Sequence, residues 1–223
     1  MTNRFYVVGA AALCAVAGST FGQVTYVARN SQISASSTQG PTNSQGTVNF
    51  DPFNQSVSSN GFRGNGAASQ QSTLSASAIT WSTSSTALSV FGSPMSGGSG
   101  AANANNTLSV TFDVASLIGF EISGAQPLWP GFVGSTYIHL NRISGEGGAA
   151  SIYSHQYPDA DGSYFASGVL TPGQYTLSVD FSLHAAAGAV WSFDGTGQLV
   201  FTPAPGAAAA LGMAGVFASR RRR

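Results

Sequence analysis

Lysine is missing from this 223-residue chain, and Asp, Glu, Lys and Arg together supply only 7% of it, against roughly 25% in ordinary soluble domains. The eight arginines are placed unevenly. Arg220, Arg221, Arg222 and Arg223 close the chain and Arg4 lies near its start. Arg29, Arg63 and Arg142 remain in the body against all eight acids, a net of −5. A body of that sign repels phosphate backbones, which argues against a nucleic-acid partner. The one cysteine, Cys14, falls within the first apolar run. If that run is removed, the mature protein has no thiol, disulfide or cysteine metal site. Glu121 and Glu146 are the only glutamates.

The first segment has three parts. Asn3-Arg4 is a short positive start, Phe5 to Ala17 runs apolar apart from Gly and Cys, and Gly18 to Gly22 is small and weakly polar. A charged start orients such a segment, an apolar middle enters the translocon, and small residues fit signal peptidase. The run is too short for a membrane span. The expected signal peptide is residues 1–22, cut after Gly22, because Gln23-Val24-Thr25-Tyr26 opens as a strand. Cleavage after Ala17 or Ser19 is the alternative, and Cys14 as a lipoprotein cysteine is a third reading.

The last segment is built differently. Phe201-Thr202-Pro203-Ala204-Pro205 is followed by a 14-residue apolar stretch, Gly206 to Ser219, and then by the four arginines. As a helix the stretch would measure about 21 Å, short of the roughly 30 Å hydrocarbon core. Snorkelling arginines and local thinning shorten that gap. The arginines would stay on the cytoplasmic side and leave the body outside. Pro203 and Pro205 stop a helix from continuing upstream. Over about its last twenty residues the chain resembles the PEP-CTERM sorting signal: Pro-x-Pro, a short apolar helix and a terminal arginine cluster. That resemblance implies recognition by an exosortase, a membrane-embedded cysteine transpeptidase. Pro203, Ala204 and Pro205 would be the sorting motif, and Arg220, Arg221, Arg222 and Arg223 the retention cluster. The family usually carries Glu between the prolines, and here Ala204 stands there. An uncleaved tail anchor is the competing reading.

The body, 23–202, alternates with period two. Tyr175, Leu177, Val179, Phe181 and Leu183 are separated by Thr176, Ser178, Asp180 and Ser182, and Leu108, Val110, Phe112 and Val114 repeat the pattern. Ile138 with Leu140, and Leu199 with Phe201, are shorter instances. One buried and one wet face is the signature of an antiparallel strand. Weaker strands are predicted at 24–30, 53–59, 73–81, 87–91, 120–123, 150–155 and 164–170. Thr171-Pro172-Gly173, Gly145 to Gly148, Ser96 to Gly100, Asn60-Gly61 and Asp194-Gly195 carry turn chemistry. The polar stretch from Ser31 to Gln71 reads as long polar strands or as loop. Roughly ten short strands predict an all-β fold, an antiparallel β-sandwich of jelly-roll type. An N-terminal signal helix and a short C-terminal transmembrane helix are expected to flank it.

Candidate chemistry is sparse. His139 and His184 alternate with apolar residues and so face outward, and together with His155 they show no metal-ligand spacing. Asp159-Ala160-Asp161-Gly162 resembles a fragment of a calcium loop, which makes Asp159 and Asp161 candidate calcium ligands, although the later acidic ligand is missing. The commoner reading is a polar turn after Pro158. No other cofactor is expected. Glu121 and Glu146 are the only glutamates available for a carboxylate pair, and no Gly-x-Ser-x-Gly elbow occurs, so no enzymatic activity is expected. Trp81, Trp129, Trp191, Tyr137, Tyr153, Tyr157 and Tyr164 are candidates either for sugar stacking or for core packing. The sequence therefore predicts an exported cell-surface or extracellular-matrix protein with a structural or adhesive role, associated with envelope polysaccharide. A carbohydrate-binding module is the alternative.

Overall fold

Alternation of large apolar with hydroxyl side chains drives this chain into extended pairs, because each strand can bury one face and hydrate the other. The computed structural model describes residues 24–90, 100–126, 134–157, 162–186 and 188–203. Twelve strands form: β1 (Val24–Ser37), β2 (Asn43–Thr47), β3 (Phe53–Gly61), β4 (Gly64–Ser75), β5 (Ala78–Ser89), β6 (Ala101–Val114), β7 (Ile118–Ala125), β8 (Gly134–Gly145), β9 (Ala150–Tyr157), β10 (Ser163–Leu170), β11 (Gly173–Ala186) and β12 (Val190–Pro203). They make two antiparallel sheets of six, in the orders β2-β1-β6-β11-β8-β9 and β10-β7-β12-β5-β4-β3. No helix occurs among the described residues. The expected signal helix and tail helix lie outside them.

The sheets pack face to face over two apolar clusters. The larger one joins Leu108, Val110 and Phe112 of β6, Tyr175, Leu177, Val179 and Phe181 of β11, and Ile138 and Leu140 of β8 to Ile79, Trp81, Phe120, Ile122, Leu199 and Phe201 of the opposite sheet. The smaller one is built mostly from small residues: Ala35, Ala68, Ala87, Ala102, Ala104 and Ala185, with Ile33, Phe53, Val57 and Leu183. Between them the inward positions turn polar, with Ser31, Gln70, Thr83, Ser85 and Asn106 all buried. Asn106 Nδ2 donates to Ser85 Oγ at 2.6 Å, linking the two sheets through the interior.

Several turns differ from expectation. Asp194-Gly195 lies inside β12, where Gly195 faces inward against the rings of Phe181 and Phe193. Its turn chemistry is overridden by the β12–β5 ladder, which pairs Asp194 with Ser84 and Gly195 with Thr83 without a break. Asn60-Gly61 belongs to the end of β3, and the two residues between β3 and β4 are Phe62-Arg63. The expected strand 73–81 is two strands, split by a turn at Ala76-Ser77, since Ala78 N bonds the Ser75 hydroxyl at 3.0 Å. Residues 87–89 close β5 rather than starting a new strand, and Phe91 lies outside the described residues. The Ser31–Gln71 stretch is ordered into strands throughout most of its length.

The Thr171-Pro172-Gly173 turn joins β10 to β11 as expected. Gly173 pairs with Gly145 across the β11–β8 ladder. A Cβ on Gly145 (φ +131°) would meet the Pro172 carbonyl at 2.6 Å, so the close approach requires glycine. Tyr175 anchors the same corner: its ring is buried and its hydroxyl donates to the Thr171 carbonyl at 2.8 Å. Tyr175→Phe is expected to lose about 1 kcal/mol, the net value of such a bond. A urea titration would show this as a lower midpoint at unchanged slope; an unchanged midpoint would show the bond to be idle.

Candidate functional site

The solvent face of the β1-β6-β11-β8 sheet carries a hydrogen-bonded array of short polar side chains. Strand alternation puts Gln32, Ser34 and Ser36 on that face of β1, Asn103, Asn105 and Thr107 on β6, and Asp180, Ser182 and His184 on β11. Register then brings them together in rungs. His184 Nδ1 donates to Asn103 Oδ1 at 2.6 Å, and Asn103 Nδ2 donates to Ser36 Oγ at 3.2 Å. Asn105 Nδ2 donates to Ser34 Oγ at 3.3 Å. Further along, the Thr111 and Thr176 hydroxyls lie 3.1 Å apart and Gln174 Nε2 donates to Asp113 Oδ1 at 3.0 Å. Cross-strand pairs of this kind give a sheet solubility without charge.

At β8 the array gains aromatic surface. Tyr137 and His139, two residues apart on one face, stack with centroids 6.0 Å apart and planes 21° apart. Tyr137 pairs across the sheet with Asp180 and Gln156, and His139 with Ser178 and Ser154. Asp180 faces outward, yet partial desolvation raises its carboxyl above the usual range. A half-exposed ring pair flanked by a carboxyl, an amide and hydroxyls is suited to hold a polyhydroxylated ligand: the apolar ring takes the sugar face and the rim takes its hydroxyls.

The remaining candidates scatter. Trp81 is buried in the large cluster and Trp191 packs half-buried against the small one. Trp129, the Tyr157 side chain, Asp159 and Asp161 lie outside what the structure describes. Tyr164 is buried, with its hydroxyl donating to the Thr196 carbonyl at 2.9 Å, and burial drives its pKa up. Tyr153 is half-buried against the large cluster. Glu121 stands on β7 in one sheet and Glu146 in the β8–β9 turn of the other. No group of three or more His, Cys, Asp or Glu that could hold a metal occurs among the described residues. Of the sorting motif, Pro203 is the last residue of β12 and pairs with Ile118. Ala204, Pro205 and Arg220 to Arg223 lie outside the described residues.

The burial of two basic groups, Arg29 and His155, escaped the sequence reading. Arg29 is 3% exposed, between the sheets. Its Nε donates to Ser31 Oγ at 2.9 Å, its Nη1 to the Asp51 carbonyl, and its Nη2 to Ser72 Oγ at 2.6 Å. Desolvation lowers its pKa and the nearby Asp51 charge raises it. His155 is also buried, beside Tyr164 at 5.0 Å between ring centroids. Gln126 Nε2 lies 2.7 Å from His155 Nε2 and donates to it, which fixes that nitrogen as acceptor on a neutral ring. Burial lowers the imidazole pKa below its ordinary 6.5. The unfolded chain therefore takes up this proton first as pH falls, and stability declines below about pH 6.5 through this group. His155→Gln is expected to flatten the acid limb of a melting-temperature profile. An equally steep limb in the variant would place the titration elsewhere.

Fold and surface define an antiparallel all-β protein with a charge-poor, hydrogen-bonding sheet face. The chain matches no family model, no curated protein and no solved structure.

Proposed function

We propose that this chain is an exported, non-enzymatic cell-surface or extracellular-matrix protein with a structural or adhesive role, delivered by its C-terminal sorting signal. The observation that carries the reading is positional. The ladder of β12 on β7 extends as far as Pro203, the last described residue and the first of Pro203-Ala204-Pro205. A transpeptidase cut beyond the motif would release the body with all twelve strands whole. Signal peptidase would act at the other end, and the tail would hold the chain in the inner membrane until it is processed. The order of the pairs, with β6 beside β1 and β11 and β12 beside β5 and β7, further supports a jelly-roll type of sandwich, since distant segments pair and the chain crosses between sheets at every step from β5 to β8 and from β9 to β12. Mass spectrometry of both termini in fractionated cells tests the reading. The expected mature form starts near Gln23 and ends near Pro205. An envelope form that keeps Arg223 would replace sorting with a permanent anchor.

A second reading, carbohydrate binding, is favoured by the Tyr137–His139 stack on the outer face. Its test is a glycan array probed with mature protein and with a Tyr137→Ala variant. About tenfold weaker binding by the variant is expected if one ring stacks on sugar. Equal binding, or none by either, would end this alternative.

A further inference from the structure

A sheet edge is a row of unpaired backbone groups, and soluble proteins guard such edges with charge, proline, bulges or covering segments. Three of the four edges here are guarded. Edge strand β2 has only five residues. The β3 edge is capped, because Asn43 Nδ2 donates to the Ser58 carbonyl at 2.5 Å and Ser59 Oγ donates to the Pro41 carbonyl. The β9 edge carries an irregularity where its register to β8 shifts at Leu140/Asn141. The fourth, β10, has none of these guards among the described residues. Its ladder to β7 runs without a register shift from Ser163 to Leu170. Its sequence, SYFASGVL, contains no charge and no proline. Among the described residues no strand pairs with its outer side.

The outward side chains of β10 are self-complementary. Phe165 is 65% exposed, Val169 is 51% exposed, and Ser167 lies midway between them on the same face. We propose that β10 pairs antiparallel with β10 of a second copy of this chain, about a two-fold axis through Ser167. That register sets Phe165 opposite Val169 of the second copy, twice over, with the two serines facing each other at the axis. On the inward side it sets Ala166 against Gly168 and, further from the axis, Tyr164 against Leu170, both of which are already buried within their own chain. Aromatic and β-branched residues directly opposite are a favourable cross-strand pair, and a two-fold contact uses each of them on both chains. Leu117, 54% exposed in the connection before β7, extends the apolar row. Among the described residues, the nearest acids on this face are Glu121 and its symmetry mate. Each stands one strand in from β10, so the pair is about 14 Å apart at ~4.8 Å per strand, beyond the roughly 10 Å screening length at 0.1 M salt. No like charge of a described residue opposes the joint.

The occupant is a second copy because the edge is neutral and its pattern reads the same in both directions about Ser167. A charged partner would find nothing on β10 to pair with. The joint would turn two six-stranded sheets into one of twelve strands, and it concerns the body alone. It therefore stands or falls separately from the sorting signal.

Disulfide trapping in the full chain tests the register. A Cys14→Ser background removes the only native thiol. Into it go, one at a time, Ser167→Cys, Phe165→Cys and Val169→Cys. At the axis the two Ser167→Cys positions face each other, within the Cα separation of about 4.4–6.8 Å that a disulfide spans. The two Phe165→Cys positions would be four residues out of register, about 14 Å apart at ~3.4 Å per residue, and so would the Val169→Cys pair. The expected result is covalent dimer for Ser167→Cys and monomer for each of the others alone, with dimer returning when those two are mixed. Adding Phe165→Lys to Ser167→Cys is expected to abolish the dimer while the melting temperature stays unchanged. Monomer from Ser167→Cys, with its thiol either open to a maleimide or shielded by another part of the chain, would overturn the proposal. Equal linking at all three positions would also overturn it, as random association.

Discussion

Phe112→Ala is expected to cost about 3–5 kcal/mol of folding stability, the range for truncating a fully buried aromatic. Phe112 is 0% exposed, and its neighbours leave no room for collapse. Tyr175 stacks on it at 5.8 Å and 17°, and Phe201 meets it edge-on at 5.2 Å and 64°. Those rings belong to β11 and β12, so Phe112 lies where the two sheets meet. Each ring is held by its own strand ladder, and Tyr175 also by its bond to the Thr171 carbonyl. The void would therefore persist, and the cavity term would add to the lost transfer energy. A urea titration reads the effect as a fall in midpoint. A loss under about 1 kcal/mol would mean that the sheets close over the gap, and the packing described here would be wrong.

Arg29→Ala is expected to be the second large loss, about 2–4 kcal/mol, for a different reason. Here the damage is to polar groups left behind. Removing the guanidinium strips partners from Ser31 Oγ, Ser72 Oγ and the Asp51 carbonyl in the space between the sheets. A buried acceptor without a donor bears the desolvation penalty with no return. Arg29→Met separates the two contributions. It restores most of the buried hydrocarbon but none of the donors, so it should recover only a minor share of the loss. If methionine restored stability fully, the arginine would be acting as packing and its hydrogen bonds would count for little. The same comparison asks whether the polar belt around Asn106 and Ser85 is held in place by Arg29 or forms independently.

Arg29 also shows where reading by period two stops working. Strict alternation from Val24 and Tyr26 would send Arg29, Ser31 and Ile33 outward. The register of β1 on β6 shifts between Tyr26 and Ala28, and the phase reverses there. Ile33 and Ala35 thereby reach the core, and Arg29 and Ser31 go inward with them. Val27, at the shift, is left 47% exposed. A bulge exists only in relation to a partner strand, so no local pattern announces it.

The outer-face site was half legible. Alternation alone put His139 and His184 on wet faces, and both lie there. It could not pair His184 with Asn103, 81 residues away, because that contact depends on the register of β11 on β6. The first half of β6 was missed for a chemical reason. β6 runs back to Ala101 through Ala102, Ala104 and Asn106, all 0% exposed. Buried alanine and asparagine look the same in sequence as exposed ones, so hydrophobic contrast fades although the burial is complete.

By itself the sequence determined that the body would be antiparallel sheet. The 2-residue period of Leu108 to Val114 and Tyr175 to Leu183 is a property of the pleat and needs no partner to be read. It also determined that the surface would be wetted by hydroxyls and amides rather than by charge. Tertiary structure alone decided which strands are neighbours, where the phase slips, which edge stays bare and which polar side chains lie inside. Those outcomes rest on pairings between segments far apart in the chain, and a ladder's register is set by the sum of contacts along both strands rather than by either one.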